Sequence, residues 1–102
     1  MNDSQLKKMA NGGITVSGTL GFNEVEALLK ASHVFFEGQA DLVFDLDQVA
    51  KTDSAGLALL LEWMKMAKKS GQQIGFKKIP KQMLDIAHVS GLKDILPLVQ
   101  QD

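Results

Sequence analysis

The sequence predicts an α/β domain with a mixed, mostly parallel β-sheet, an N-terminal hairpin and helices packed against the sheet. Residues 14–20 alternate apolar and small polar side chains after an Asn-Gly-Gly turn at 11–13, which indicates a half-buried strand that pairs with residues 5–9 in a hairpin. Residues 41–46 are predicted to form the central strand, because their apolar side chains stand on consecutive positions, as in a strand covered on both faces. A helical pattern follows each of these strands, and this alternation predicts parallel pairing.

The first predicted helix covers residues 23–32. Asn23 followed three residues later by Glu26 resembles a capping box, in which the two side chains accept hydrogen bonds from free backbone N–H groups at the helix start. The second predicted helix covers residues 55–69. It is expected to end before Gly71, because glycine readily adopts the left-handed conformation found just past a helix end.

The C-terminal third of the chain is predicted to continue the alternation of strands and helices. Residues 73–79 read as a third strand. Pro80 suits the first turn of another helix, which Gly91 is expected to end. Residues 95–99 are predicted to form a final strand or a packed tail.

The composition predicts one domain that spans residues 1–102. The chain has 102 residues, 45% of them hydrophobic, which suffices to bury a core without metal or disulfide, and the lack of cysteine is typical of a cytoplasmic protein. With 11 basic and 12 acidic residues the net charge is -1, so no overall field favours nucleic acid. Residues 1–8 lack the apolar core of a signal peptide. The longest uncharged apolar run, residues 55–61, is far shorter than the roughly 20 residues that span a bilayer, so no direct membrane insertion is expected.

Residues 45–56 are the most informative stretch. They are predicted to run from the central strand through a tight loop into the second helix, with Ser54 at the helix start. Backbone N–H groups in a first helical turn lack partners and carry partial positive charge, so Ser54 could cap them and a phosphate or carboxylate is favoured nearby. A cap alone would contribute about 1 kcal/mol. Asp45 and Asp47 are expected to hold loop N–H groups, and Asp45 to shape the loop around Ser54.

The second predicted helix has more apolar surface than a single core-facing stripe requires. At about 100° per residue, the core-facing stripe consists of Leu57, Leu60, Leu61 and Met64. The solvent-facing stripe consists of Glu62, Lys65 and Lys69. A second apolar stripe consists of Leu59, Trp63 and Met66. This second stripe is either further core or a docking surface, since Trp and Met are enriched in protein interfaces.

No residue pattern predicts catalysis, a metal or a cofactor. The sequence has no Gly-x-x-x-x-Gly-Lys-Ser/Thr loop, so a partner would have to supply any nucleotide hydrolysis. His33 and His88 are far apart and lack carboxylates at ligand spacing, which disfavours a metal site or a nucleophilic triad. Asp53 and Ser54 are adjacent, so their side chains point in different directions, and no general base is evident. A nucleotide or anion sensor at the helix start stays open as a third alternative.

The motif and the helix ends resemble those of STAS domains, the family named after sulfate transporters and anti-sigma factor antagonists. The resemblance covers nearly the whole chain and implies a STAS-like fold. Its most specific residues are Asp45-Leu46, Val49 and Asp53-Ser54-Ala55-Gly56-Leu57. The expected helix ends match at Ser70-Gly71 and Val89-Ser90-Gly91-Leu92.

The resemblance implies a regulatory role for Ser54. In the anti-sigma factor antagonists, a partner anti-sigma kinase phosphorylates the hydroxyl residue that follows the loop aspartate, and phosphorylation breaks the complex. That residue corresponds to Ser54. A phosphoserine beside Asp53 would repel a partner surface that is complementary to a neutral serine.

A narrower resemblance is to the MlaB-like group, the STAS subunits of ABC-type phospholipid transporters that maintain outer-membrane lipid asymmetry. The similar stretches are residues 56–61, 67–69, Gly71 and the tail at 96–97. Such a subunit binds the ATPase subunit and supports its activity, with the loop hydroxyl at the contact. The leucine-rich helix favours this group, whereas Ser54-Ala55 is closer to the antagonist pattern.

The sequence thus predicts a non-enzymatic STAS subunit that regulates the ATPase of an ABC-type phospholipid transporter. It would be cytoplasmic and peripheral to the inner membrane through its complex. The alternative is an anti-sigma factor antagonist that an anti-sigma factor kinase switches by phosphorylating Ser54. The predicted partner-binding residues are Thr52, Asp53, Ser54, Gly56, Leu59, Trp63 and Met66.

Overall fold

Strands and helices alternate along the chain in a computed structural model that describes residues 4–99. Residues 1–3 and 100–102 of the predicted domain lie outside the described residues. The strands are β1 (Gln5–Lys8), β2 (Ile14–Leu20), β3 (Leu42–Thr52) and β4 (Ile74–Lys77). The helices are α1 (Val25–Ser32), α2 (Ser54–Ser70) and α3 (Lys81–Val89), with short 3₁₀ helices at His33–Phe36 and Lys93–Ile95.

The four strands form one mixed sheet in the order β1-β2-β3-β4. β1 and β2 form the antiparallel hairpin, in which Leu6 is opposite Val16. The turn closes with a 2.7 Å hydrogen bond from Met9 N to Gly13 O. β2 pairs with β3, and β3 with β4, in parallel. These pairings confirm the predicted mixed, mostly parallel sheet with an N-terminal hairpin.

The central strand β3 is much longer than predicted. It has 11 residues and ends at Thr52, whereas the sequence predicted a strand over residues 41–46 and then a loop. The loop prediction was wrong because β3 continues in parallel pairing with β2 as far as Leu20, which is opposite Thr52. Exposed polar side chains from Asp47 onward give this segment the composition of a loop, but the neighbouring strand keeps it extended. Only Asp53 separates β3 from α2.

The sheet buries one of its faces. Leu42, Phe44 and Leu46 are buried, whereas Val43 and Asp45 between them are only half-buried. The prediction that this strand is covered on both faces was therefore wrong, because successive side chains alternate between the two faces and only one face lies in the core. A shallow cavity of about 380 Å³ adjoins Val43 and Asp45, and no helical residue lines it.

The core is centred on stacked aromatic rings that join α2 to the sheet. The rings of Phe44 and Trp63 lie 4.2 Å apart with 12° between their planes, and Phe76 of β4 packs against Phe44 at 6.0 Å. Trp63 Nε1 donates a 2.8 Å hydrogen bond to Ser32 Oγ, which in turn donates to Leu29 O. The indole N–H is therefore satisfied although Trp63 is completely buried.

The predicted capping box at the start of α1 was wrong. The helix begins at Val25, its N-cap is Glu24, and no side chain caps it. Glu24 Oε1 instead accepts a 3.1 Å hydrogen bond from Gly21 N, in the turn that leaves β2. Neither Asn23 nor Glu26 takes part, because the N-cap is Glu24 and the helix starts one residue later than the capping box requires.

The C-terminal elements follow in the predicted order, although β4 is shorter than the strand predicted over residues 73–79, and Pro80 is the N-cap of α3 and not part of its first turn. α2 ends before Gly71, which has the left-handed conformation with φ of 78°. α3 follows Pro80 and buries Met83 and Ala87. Residues 97–99 run beside β4, where Phe76 exchanges backbone hydrogen bonds of 2.8 Å with the tail, so this segment is a packed tail.

Candidate functional site

The start of α2 lies where the carboxyl ends of β2 and β3 meet, and Asp53 is its N-cap. Asp53 has an extended backbone, and its Oδ1 accepts a 2.8 Å hydrogen bond from Ala55 N. Its Oδ2 accepts a 3.3 Å hydrogen bond from Phe22 N, so one carboxylate joins the helix start to the turn after β2. The prediction that Ser54 caps the helix was wrong, because Asp53 has the extended backbone of an N-cap and Ser54 is already the first helical residue.

Ser54 is exposed in the first turn of α2. No acidic residue lies in that first turn, and the aligned peptide dipoles give the helix start a partial positive charge. Because Asp53 is also exposed, the two side chains form a polar surface at the sheet edge. A phosphate on Ser54 would be tolerated by the helix and would add negative charge next to Asp53.

Thr52 and Gly56 are buried beneath this surface. Thr52 Oγ1 donates a 3.2 Å hydrogen bond to Leu20 O, which ties β3 to β2. At position 56 a side chain would meet Thr52 Oγ1, and its Cβ would lie only 2.8 Å from Leu20 O. The prediction of a direct contact role for these two residues was wrong, because they let α2 approach the strands closely and do not reach the surface.

The second apolar stripe of α2 belongs mainly to the core. Trp63 is completely buried and Leu59 is 3% exposed, so both side chains pack in the core, and of the two only Leu59 also lines a surface groove. Met66 is half-buried and packs against the core. The buried arc of the helix is wider than predicted, because α1, α3 and the sheet all pack against α2.

The predicted stripes of α2 are otherwise close to the observed ones. Leu57 and Leu60 are buried, while Leu61 and Met64 of the same predicted stripe are half-buried. The predicted solvent-facing stripe is exposed at Glu62, Lys65 and Lys69.

Asp45 does not shape the surroundings of Ser54. Its Oδ1 accepts a 2.9 Å hydrogen bond from Asp47 N within β3, and its side chain lies on the open face of the sheet. The prediction failed because the extension of β3 separates Asp45 from the helix start by most of the strand.

A groove between α1 and α2 was missed by the sequence reasoning. It has a volume of about 610 Å³ and adjoins Ala55, the residue after Ser54. Phe22, at one end, is 81% exposed and has the largest side chain among the exposed apolar residues of the described part of the chain. The signal in the sequence was a phenylalanine inside the turn-like stretch Gly21-Phe22-Asn23, where a polar residue is typical.

Other potentially reactive groups do not form a second site within residues 4–99. No group of three metal-ligating side chains is present in this part of the chain. His33 and His88 are both exposed. In α3, the 2.8 Å hydrogen bond from Lys81 Nζ to Asp85 raises the pKa of Lys81 above its ordinary value. None of the described helices combines the length and apolar character needed to cross a bilayer.

Comparison with known proteins assigns the chain to a family. A family model described as "Mlab, STAS domain" matches residues 5–100. The anti-sigma-B factor antagonist of Bacillus subtilis (strain 168) is 26% identical over 85 residues, which are 83% of this chain and 78% of that protein. The chain belongs to the STAS domain family, as the sequence motif predicted.

Solved structures of STAS proteins have the same fold. An anti-sigma factor antagonist from Mycobacterium paratuberculosis superposes with a TM-score of 0.73 at 23% identity, over 99% of this chain and 87% of that one. The Bacillus cell fate determinant SpoIIAA in its phosphorylated form superposes with a TM-score of 0.63 at 16% identity, over 96% of this chain and 92% of that one. At these identities the likeness shows the fold alone.

Proposed function

We propose that the protein is a non-enzymatic STAS subunit that binds and regulates the ATPase subunit of an ABC-type phospholipid transporter. In this role it acts at the cytoplasmic face of the inner membrane through its complex. The observation that carries a docking role is the pairing of exposed Ser54 with the exposed apolar ring of Phe22, joined through Asp53. Exposed apolar surface next to a polar centre is typical of a protein contact.

The family match supports the transporter assignment. The matching family model carries the MlaB description, and it covers residues 5–100. Within the leucine-rich helix α2, the buried side chains anchor the helix and leave Ser54 at its start exposed for the partner. The binding surface in this proposal consists of Ser54, Asp53 and Phe22.

Negative charge at Ser54 would weaken such a contact. A neutral hydroxyl can be buried against a partner if it finds one hydrogen bond, whereas a buried charge without a counter-charge is far more costly. Asp53 already supplies one negative charge beside Ser54. We therefore expect Ser54→Asp to release the partner.

The second candidate function is an anti-sigma factor antagonist that is switched by phosphorylation of Ser54. The observation that favours it is the 26% identity to the anti-sigma-B factor antagonist of Bacillus subtilis. The exposure of Ser54 in a first helical turn also suits a kinase substrate. In this case the partner is an anti-sigma factor kinase.

Affinity purification of the tagged protein from its native cell tests both functions. Wild type is compared with Ser54→Asp and with Gln39→Asp, a control that adds the same charge at an exposed position near the amino end of β3, the opposite end of that strand from Ser54. Recovery of an ABC ATPase and its permease by wild type and by Gln39→Asp, but not by Ser54→Asp, supports the transporter role.

Two other outcomes contradict the transporter proposal. Recovery of an anti-sigma factor kinase, with phosphate found on Ser54 of the purified protein, establishes the second function instead. Retention of the same ATPase by Ser54→Asp and wild type shows that Ser54 is outside the interface.

A further inference from the structure

The groove between α1 and α2 has two helical walls and an open top. Phe22 and Asn23 lie at the end nearest Asp53, in the turn before α1. The residues of α1 and α2 that line it are Val25, Glu26, Leu29, Ala55, Ala58, Leu59 and Glu62. Its floor is apolar, since Leu59 is buried and Val25 and Leu29 are half-buried.

The spacing of the lining residues suits a third helix. On each side they span eight residues, from Phe22 to Leu29 and from Ala55 to Glu62, and along α2 this is about two helical turns or roughly 10 Å. Ala55 and Ala58 are small, so α2 leaves room for a helix axis to approach to within the roughly 8–10 Å of ordinary helix packing. A helix in this position would complete a layer in which α1 and α2 are its neighbours.

The charged residues that line the groove have one sign. They are Glu26 on one wall and Glu62 on the other. Each has a lysine of its own helix nearby, with Lys30 Nζ 4.0 Å from Glu26 and Lys65 Nζ 3.8 Å from Glu62. These exposed contacts are weak, so both carboxylates stay available to a basic ligand.

We propose that this groove receives an amphipathic helix of the partner protein, with an apolar face of about two turns and lysine or arginine on both flanks. The apolar face fills the space above Ala58 and Leu59, and the basic flanks contact Glu26 and Glu62. This inference rests on the proposed docking function and names the chemistry of the partner. Carboxylates on both walls disfavour a bare acyl chain, which could not neutralise them.

The groove lies next to the proposed contact at Ser54, since Ala55 lines it and Phe22 is bonded to Asp53. A two-turn helix buries less area than a stable interface requires by itself. The groove therefore acts together with the Ser54 surface, and the partner's helix is expected to bind weakly in isolation.

The probe for this proposal is a synthetic, side-chain-stapled peptide of about 14 residues with leucines at i, i+3, i+4 and i+7 and lysines on both flanks. A matched peptide has glutamate in place of each lysine. Titration into the isotope-labelled full chain is followed by amide chemical shifts. The lysine peptide is expected to shift the signals of Leu29, Ala55 and Ala58, to bind more weakly as salt rises, and to bind at least about tenfold more tightly than the glutamate peptide.

Variants of the protein test the same contact. The double variant Glu26→Lys with Glu62→Lys should lower the affinity for the lysine peptide about tenfold, as expected for the loss of two exposed charge pairs. The matched control is Glu37→Lys with Asp94→Lys, which makes the same change in net charge at exposed residues outside the groove. Ala58→Trp, a substitution at an exposed position, should block the groove sterically and abolish the shifts.

Several results would overturn the groove proposal. The first is equal affinity for the lysine and glutamate peptides. The second is an absence of chemical-shift changes at the groove, or changes that persist in Ala58→Trp. The third is a dimer of this chain that Ala58→Trp dissociates, which would show that a second copy occupies the groove. Failure of the two proposals can be told apart. If Ser54→Asp loses a captured ATPase but Glu26→Lys with Glu62→Lys retains it, only the groove proposal fails. If the protein binds the lysine peptide selectively but captures no ATPase from the cell, only the proposed transporter function fails.

Discussion

The start of α2 and the middle of the same helix differ in their exposure to solvent, although both are rich in small or apolar residues. At the start of the helix Ser54 is exposed, and Asp53 ties the helix to the turn after β2. In the middle, Leu60 and Trp63 are completely buried against the sheet. The buried middle of α2 thus fixes the helix against the sheet, while its start stays accessible. The hydrogen bond from Phe22 N to Asp53 keeps Ser54 close to the turn that carries Phe22.

The contrast teaches where substitutions should separate stability from binding. A change in the buried middle of α2 should unfold the protein without being specific to any partner. A change at exposed Ser54 should affect the partner and leave the free energy of unfolding nearly unchanged. Asp53 and Gly56, which join the helix start to the strands, should show intermediate losses of stability.

The largest effect is expected at Trp63. Trp63→Ala removes the ring stacked on Phe44 and leaves a cavity, which should lower the free energy of unfolding by about 3–5 kcal/mol. Urea denaturation measures this loss of stability. As a control, Met66→Ala changes a half-buried residue of the same helix and should lower the free energy of unfolding by less. If Trp63→Ala instead leaves stability unchanged and weakens partner capture, then Trp63 is a docking residue after all.

Gly56→Ala should lower the free energy of unfolding by less than Trp63→Ala does, but by more than the loss of a helix cap. The added Cβ would meet Thr52 Oγ1 and Leu20 O, so α2 must move away from the strands, at about 1–3 kcal/mol. Gly38→Ala is the matched control, because no atom lies within 4 Å of a Cβ at that position. Chemical denaturation should show no loss for the control, and equal stability of both variants would mean that the close approach at Gly56 is not required.

Asp53→Ala should lower stability by about 1 kcal/mol, through loss of the cap on Ala55 N. It also removes the acceptor for Phe22 N, so the amide of Phe22 should exchange its hydrogen faster. Asp53→Asn keeps one side-chain oxygen and should retain most of the cap. Thermal denaturation and hydrogen exchange measure the two effects, and unchanged exchange at Phe22 would mean that the carboxylate bridge does not hold the turn.

The smallest effect on stability is expected for Ser54→Asp. A carboxylate in the first turn is favourable to the helix dipole, and Asp53 opposes it nearby, so the free energy of unfolding should change by less than about 0.5 kcal/mol. Partner capture should nevertheless be lost. A stability loss of several kcal/mol would show that the substitution damages the fold, and its effect on binding would then say nothing about the interface.

Sequence patterns alone were enough to predict the order of strands and helices, the hairpin, the end of α2 at Gly71 and the family. These features depend on periodicity and on residues close together in the chain, such as the turn at residues 11–13. The position of Ser54 at the start of a helix could be predicted for the same reason. A pattern of neighbouring residues is sufficient to predict such features, because they are decided by residues that are close together in the sequence.

Only the tertiary structure decided how the site is built. Asp53 rather than Ser54 caps α2, because the backbone of Asp53 is extended after its pairing with the end of β2. Trp63 is core because α1 supplies Ser32 as a hydrogen-bond partner 31 positions away in the chain. The extension of β3 and the groove beside Phe22 likewise depend on neighbours that are distant in sequence. Periodicity along one helix reports which side chains share a face, but the packing of other elements determines how much of that face is covered.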